Sequence, residues 1–504
     1  MGENLIVMNA DPGETRVAII ENGIIVELLL ERQADRSVVG NVYKGKITRV
    51  LPGMQAAFID IGLERAAFLH VSDLVRPSDP SEKRNRKSQK EVLIQDLVQV
   101  GQALPVQISK GPISTKGARV TGQISMPGRH LVFMPESDKG GVSRRIDNEN
   151  ERNRLIKILK KIQPQKGAII IRTVAEGISA DALAADVDYL TETWDEIFHK
   201  FKTRKTPGLI YEELTLPLRV ARDRLNDTVT ELVIDDHSHF DKLKKFVDRL
   251  MPSRLDAIKR YDGDEPIFDA FGIEAEIKRA LERRVLLPSG GSLIIDQAEA
   301  LTAIDVNTGK FVGKGSKDLE ETILTTNLEA VAEIAYQLRF RNIGGLVVLD
   351  LIDMDRPESR RKVLGKLKNL LQDDRAKASV KRISEFGLVE MTRQRTTDSL
   401  GRMLHEPCNY CDGTGQVLSR VTVANEALRE IRRRSYEFGH EIELTVHPNV
   451  AEVFKGEGAG LLKALEKRIS KRVILTQDGR LHQEAFDIRA AAKRRPADKG
   501  SSKK

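Results

Sequence analysis

The chain has 504 residues, 40% hydrophobic and 31% charged, with a formal net charge of +8 and only two cysteines. That length calls for three or four domains, the absence of any run of about 18 apolar residues argues against a membrane span, and the cysteine count excludes a disulfide scaffold and points to a reducing, cytoplasmic setting. The Lys and Arg surplus favours a polyanionic partner, nucleic acid first, with a merely soluble basic protein as the competing reading.

The opening "MGENLIVMNADPGETRVAII" lacks the basic-then-apolar layout of a signal peptide. Over the first 36 residues, apolar β-branched runs flank the turn signals "ADPGE" and "ENG", predicting hairpin strands. Short alternating runs punctuated by Gly40, Gly45, Gly53 and Gly62 then predict a small barrel. Residues 76–90 read as a long exposed loop within it. "ENERNRLIKILKKI" is an amphipathic helix, "KGAIIIRTVAEG" a buried strand with a turn, and "ISADALAADVDYL" opens a helix on a Ser cap. "TVTELVIDD" and "FDKLKKFVDRLM" predict a strand and a helix. From about 282 to 403 comes a second major domain. It has two strands in "SGGSLIIDQAEALTAIDVNTGK", a long helix, a strand buried on both faces in "GGLVVLDLIDM", and a Pro-initiated helix. A cysteine segment, a small mixed domain and a tail, "KRRPADKGSSKK", predicted to be disordered, complete the chain.

Four constellations carry chemistry. Asp305 and Asp350 each end an apolar strand, where a buried carboxylate is costly unless a cation satisfies it; two of them brought together suit Mg²⁺. Asn307 lies on the same strand face as Asp305 and would orient a ligand or donate to substrate. The competing reading makes such aspartates caps or salt-bridge partners, above all Asp353 and Asp355 before the Pro-initiated helix. In the barrel, Phe58 and Phe68 with Lys44, Lys46, Lys110 and Lys116 offer either core packing or base stacking beside a basic rim. Arg172 and Thr173, after an apolar strand, suit a terminal phosphate or simply a solvated surface. Cys408 and Cys411, in "HEPCNYCDGTG", make half of a zinc site. His405 or the same cysteines of a second chain would supply the rest, the shared arrangement giving a symmetric dimer. A redox pair would need a strand-to-helix setting that the sequence does not offer.

The blocks "VVGNVYKGKITRVLPGMQAAFIDIGLERAAFLH", "AIDVNTGKF", "TNLEAVAEIAYQLRFRNIGGLVVLDLIDM", "FGLVEMTRQR" and "CNYCDGTG" closely resemble the bacterial ribonuclease G/E family, in order and as far as about residue 490. The absence of a Pro/Arg-rich extension makes the chain similar to the family's short member. The resemblance implies a multidomain α/β fold: an RNase H-like domain from 1–38 and 221–281, an inserted S1-type OB-fold barrel at 39–128, and a 5′-sensor region at 129–220. A DNase I-like catalytic domain at 282–403, a zinc link at 404–418, a small C-terminal domain at 419–490 and a basic tail at 491–504 follow. It implies Mg²⁺ on Asp305 and Asp350 with Asn307 assisting, and RNA on Phe58, Phe68, Lys110 and Lys116. It further implies a 5′-monophosphate held by Arg172 and Thr173 with backbone around Gly128 and Val132, and Zn²⁺ shared between subunits through Cys408 and Cys411. The implied activity is hydrolysis of single-stranded RNA to 5′-phosphate and 3′-hydroxyl ends, serving rRNA processing and mRNA decay in the cytoplasm as a homodimer. The alternative is a non-catalytic RNA-binding scaffold. Two departures from the family pattern stand out. Asn409 follows the first cysteine where proline is common, and Ile61 occupies the place of a tyrosine near the stacking site.

Overall fold

The computed structural model describes residues 3–34, 36–74, 92–112, 116–309, 316–372, 374–384, 386–395, 398–456 and 458–491, with the side chains of 316–318 set aside. The loop expected at 76–90 and the tail from 492 lie outside them. The chain forms two compact units, one through Met403 and one from Leu404.

In the first unit, Leu5–Ala10 pairs antiparallel with Glu14–Glu21, which pairs with Ile24–Arg32. The other edge of Leu5–Ala10 is met in parallel by Glu231–Ile234, more than two hundred residues on, and Ile258–Arg260 extends that side. Ile6, Met8, Val17, Leu232 and Ile234 share one core with the helices Leu216–Arg224 and His237–Leu250.

Between those halves lies a closed barrel of Val42–Leu51, Ala56–Asp60, Ala67–His70, Arg119–Thr121 and Ala103–Lys110, the first and last of these pairing to shut it. A Cβ on Gly45 would sit 2.5 Å from Ile59 Cδ1 and 3.3 Å from Val106 Cγ2, so only glycine fits that interior position. Gly208–Tyr211 adds an outer strand. Lys44, expected on the barrel's basic rim, instead donates to the carbonyls of Phe201 (2.8 Å) and Arg204 (2.6 Å) at the end of helix Ala180–Thr203. It satisfies orphan carbonyls there, a structural task. Ile61 is fully buried among the barrel's core residues and lines no binding surface.

A four-stranded sheet of Met126–Pro127, Leu131–Met134, Ala168–Ile171 and Gly141–Val142 packs on the helices Glu149–Ile162 and Ala180–Thr203. Asn148 and Ser179 cap those helices through their side chains.

The last sheet of this unit runs in the order Arg284–Leu286, Ser292–Gln297, Leu301–Asn307, Gly345–Asp350, Leu388–Arg393, Ala378–Ile383. Helices Ser316–Phe340 and Pro357–Leu370 cover one face through Val306, Ile304, Val347, Leu349, Val389 and Met391. The strand Gly345–Asp350 is not buried on both faces, as its apolar composition suggested. It alternates, with Val347 and Leu349 buried and Leu346 42% exposed, because among the described residues the two helices of this core cover one face only. Nor do Asp353 and Asp355 cap Pro357–Leu370: that helix has no side-chain cap from its own flank. Glu320, from the preceding helix, receives the amides of Asp355 and Arg356 (3.3 Å each) and the hydroxyl of Ser359 (3.0 Å).

The second unit holds the parallel strands Glu441–Val446 and Arg472–Gln477 and the antiparallel strand Phe486–Ala490, packed with helices Arg420–Arg434, Pro448–Lys455 and Ala459–Ile469. A segment of turns, 405–418, precedes it.

Arg393 anchors the open sheet. Its guanidinium binds Asp374 in two places (2.6 and 3.0 Å) and the carbonyl of Ile343 (2.9 Å), with both side chains at 5% exposure or less. Asp374→Ala leaves that cation buried and unpaired, so we expect a loss of about 3–5 kcal/mol, seen as a marked fall in the thermal unfolding midpoint. An unchanged midpoint would refute this.

Candidate active site and nucleic-acid interface

Strands Leu301–Asn307 and Gly345–Asp350 run parallel, and their register makes Asp305 and Asp350 direct neighbours, with Cα atoms about 4.8 Å apart. Period-two alternation sends Ile304, Val306 and Leu349 into the helix-covered core and turns Asp305, Asn307 and Asp350 to the open face. Both carboxylates are exposed. Exposed carboxylates carry no desolvation cost for a cation to offset; what the fold supplies is their adjacency. Among the described residues neither has an ion-pair partner. Asn307 Nδ2 donates to Asp305 Oδ2 at 2.7 Å, fixing one carboxylate oxygen. The donor set is hard oxygen without soft ligands, which fits Mg²⁺ rather than zinc or copper.

Phe58 and Phe68 of the barrel are not core residues. Ala57, Ile59, Ala67 and Leu69 fill the interior, so Phe58 and Phe68 point outward and are half-buried. They are register partners, and their rings meet edge to face at 6.1 Å. Across neighbouring strands the register continues as Arg49, Phe58, Phe68, Arg119, Lys110. An aromatic pair is thus flanked by cations on both sides, which is what a single-stranded nucleic acid requires. Arg49 and Arg119 were missed in the sequence because only the strand register brings them into this row. Arg119 is held in place by Asp73 at 2.9 and 3.2 Å. Lys110 and Lys116 are exposed; no pairing places Lys116 in the row.

Arg172, Thr173, Gly128 and Val132 come together at one end of the four-stranded sheet. Val132 pairs with Ile170, and the Arg172 amide donates to the carbonyl of His130 (2.8 Å). Arg172 Nη1 is spent on the carbonyls of Gly128 (2.9 Å) and Arg129 (3.2 Å) and on Asp223 Oδ1 (3.0 Å). Its Nη2 has no partner among the described residues. Burial pushes the Asp223 carboxyl up, but Arg222 and then Arg172 outweigh it and hold it below the usual carboxylate range. Thr173 Oγ1 shares a hydrogen bond with Ser143 Oγ at 3.0 Å. Beneath the turn, Asp186 accepts the amides of Arg129 (3.1 Å), His130 (2.8 Å) and Leu131 (3.2 Å). A Cβ on Gly128 would lie 2.6 Å from that carboxylate, so the turn requires glycine. Asp186, Asp223 and Ser143 left no local signal in the sequence, since each lies thirty or more residues from the group it contacts.

The cysteine segment is a tight knuckle. Asp412, Gly413 and Gly415 adopt positive φ, the Gly413 amide donates to the Cys408 carbonyl at 3.2 Å, and the Gly415 amide donates to Cys411 Sγ at 3.2 Å. The amide of Tyr410, followed by the amide and thiol of Cys411, holds the Cys408 thiol below its ordinary value. A thiol so placed reaches the thiolate form more readily than a free one. His405 is exposed, and among the described residues no three His, Cys, Asp or Glu side chains form a metal-binding group. His482 braces the knuckle through Tyr410, its Nε2 lying 2.6 Å from the Tyr410 carbonyl.

His130 is 9% exposed, and burial, then Arg129, then Arg172 press its pKa from the ordinary 6.5 to about 4. The unfolded chain takes up this proton near pH 6.5, the folded one only near pH 4. Stability is therefore fully present above pH 6.5 and is lost as the pH falls towards 4. We expect His130→Gln to remove part of that loss, on the order of 1–3 kcal/mol between pH 7 and 4.5, in denaturant titrations at both values. An identical pH slope in the variant would exclude it.

The amino-acid sequence was compared with known proteins. Residues 125–396 match the Ribonuclease E/G family and residues 407–491 match the RNase E/G thioredoxin-like domain. The cysteines nevertheless lie in turns ahead of the first helix of the second unit, not between a strand and a helix. Over 485 residues the chain is 44% identical to Ribonuclease G of Haemophilus influenzae, spanning 96% of this chain and 98% of the relative. It is equally similar, 44% over 484 residues, to Ribonuclease G of Escherichia coli K12, spanning 96% and 99%. Ribonuclease E of Haemophilus influenzae is 35% identical over 489 residues, 96% of this chain and 52% of that protein. The chain belongs to the ribonuclease E/G family, and within it stands nearer to these ribonuclease G relatives than to ribonuclease E.

Proposed function

We propose that the protein hydrolyses single-stranded RNA at the open face of its 284–393 sheet, with Mg²⁺ held by Asp305 and Asp350. That it is an endoribonuclease follows from its family; the finer reading rests on one observation above all, the side-by-side register of those two aspartates with Asn307 bound to the first. When bound, the metal supplies an activated water and charge stabilisation at the phosphoryl group. Asn307 keeps Asp305 oriented. The Phe58–Phe68 pair stacks bases while Arg49, Lys110 and Lys116 hold phosphates, positioning the strand. The free Nη2 of Arg172, with the Thr173 hydroxyl and the backbone at Gly128 and Val132, takes a 5′-monophosphate and so favours RNA carrying one. Cleavage leaves 5′-phosphate and 3′-hydroxyl ends.

In this reading the sheet built from 5–32 with 231–260 is the RNase H-like part, the barrel the S1-type RNA-binding part, the region around Arg172 the 5′ sensor, and the 284–393 sheet the DNase I-like part. The substrates are rRNA precursors and mRNA in the cytoplasm. Among the described residues no helix is long and apolar enough to cross a membrane.

We expect Asp305→Asn and Asp350→Asn each to slow Mg²⁺-dependent cleavage of a 5′-monophosphorylated oligonucleotide by about a hundredfold or more, with RNA binding retained in a gel-shift assay. Variants that cleave at the wild-type rate would sink the catalytic assignment, and binding without any cleavage by the wild type would favour a scaffold.

Cys408 and Cys411 supply half a tetrahedron, and the reading completes it with the same pair from a second copy. Native mass and metal content should give one zinc per two chains. Cys408→Ser should yield zinc-free monomer. A dimer that persists in that variant, or one zinc per chain, would count against sharing.

A further inference from the structure

Phe386 is 88% exposed, more than any other large hydrophobic side chain among the described residues. Scattered exposed hydrophobics are ordinary; the setting of this one is not. It occupies the turn between Ala378–Ile383 and Leu388–Arg393. The Ser384 amide donates to the Leu388 carbonyl (2.8 Å), the Gly387 amide to the Ser384 carbonyl (3.1 Å), and the Leu388 amide to Ser384 Oγ (3.2 Å). Gly387 has φ +83°, and a Cβ there would lie 3.2 Å from Asp353 Oδ1. Ser384, Gly387 and Leu388 are thus bonded to one another, and Gly387 is seated against the loop that follows Asp350. Leu388 is the register partner of Asp350. Two residues of chain span at most about 7 Å and antiparallel partners lie about 5 Å apart. The Phe386 backbone is thus within about 12 Å of that of Asp350, at the carboxylate end of the strand pair.

An unburied aromatic ring within reach of a pair of carboxylates has the chemistry of a platform on which a base can stack. The Phe58–Phe68 pair belongs to a different sheet. We propose that Phe386 is a specificity-determining residue whose ring stacks on the base of a nucleotide adjoining the scissile phosphate. This rests on the proposed hydrolytic role of Asp305 and Asp350. Stacking is tolerant of base identity but requires a base. The ring therefore selects unpaired over paired RNA next to the cut, since a base held in a duplex cannot turn its face to it.

The test uses the full chain and 5′-monophosphorylated oligonucleotides carrying a single abasic site at each position flanking the cleaved bond. Phe386→Ala should lower kcat/KM on the intact substrate about 5- to 100-fold. Phe386→Trp should retain most of it, and Phe386→Leu should behave like Ala. One abasic position should cost the wild type a similar factor and cost Phe386→Ala almost nothing more. Tyr436→Ala, which removes an exposed aromatic of the second unit, serves as the control. In Phe386→Trp, RNA should quench the added indole emission over that of Trp194, a readout independent of cleavage. Full activity of Phe386→Ala, equal rescue by Leu, or additive losses at every abasic position would overturn the inference and leave the ribonuclease reading standing. A wild type that does not cleave would count against the ribonuclease reading alone; the indole signal then decides Phe386, an unquenched signal overturning its role.

Discussion

Two unit charges about 5 Å apart repel by roughly 1 kcal/mol in water and about 3 kcal/mol at an effective dielectric of 20. The parallel register of Leu301–Asn307 and Gly345–Asp350 sets Asp305 and Asp350 side by side on the exposed face of the sheet. Much of the first unit's 284–393 layer can be understood as what holds them there. Ile304, Val306, Val347 and Leu349 alternate with the carboxylates and lock the strands to two helices. Slipping either strand by one residue would bury an aspartate and expose an isoleucine or leucine. The packing outweighs any repulsion between the two carboxylates, and in the proposed reading a cation relieves it.

Three of the four candidate sites differ in how they treat their polar groups. At Arg172 most of the demand is met internally: Asp223 and two carbonyls take one nitrogen, and the arginine is oriented before anything binds. Preorganisation of that kind lowers the ordering cost of binding and leaves a small number of donors for the ligand. Asp305 and Asp350 are left without a cationic partner among the described residues, so the ligand must bring the charge. The knuckle lies between these cases, with amides already donating to its sulfurs.

The sequence made some of this legible and some of it not. Strand ends marked Asp305 and Asp350, but only the pairing of strands forty residues apart makes them neighbours. Composition suggested burial on both faces of Gly345–Asp350, since an apolar run looks the same whether one face is covered or two; Leu346 shows that one is not. Lys44 looked like part of a basic rim and serves a helix end. Glu320 does the capping that Asp353 and Asp355 suggested by position. In each case the local pattern was sound and a distant partner decided its use. Periodicity did better with Phe58 and Phe68: once Ala57 and Ile59 are inside, alternation sends the ring between them out.

That alternation links the barrel to the open sheet in physical terms. Both surfaces arise because a strand has two faces and the core consumes one. In the barrel the outer face carries rings between cations, which suits a strand of nucleic acid with stacked bases and paired phosphates. In the open sheet it carries paired carboxylates, which repel a phosphate. RNA would therefore be drawn to the first surface and resisted at the second unless a divalent ion reverses the sign of the field. In the proposed reading, binding at the carboxylates is coupled to the metal while binding at the barrel is independent of it. In that reading the barrel holds the strand and the open sheet carries the chemistry, with Phe386 the one point there at which a base is held.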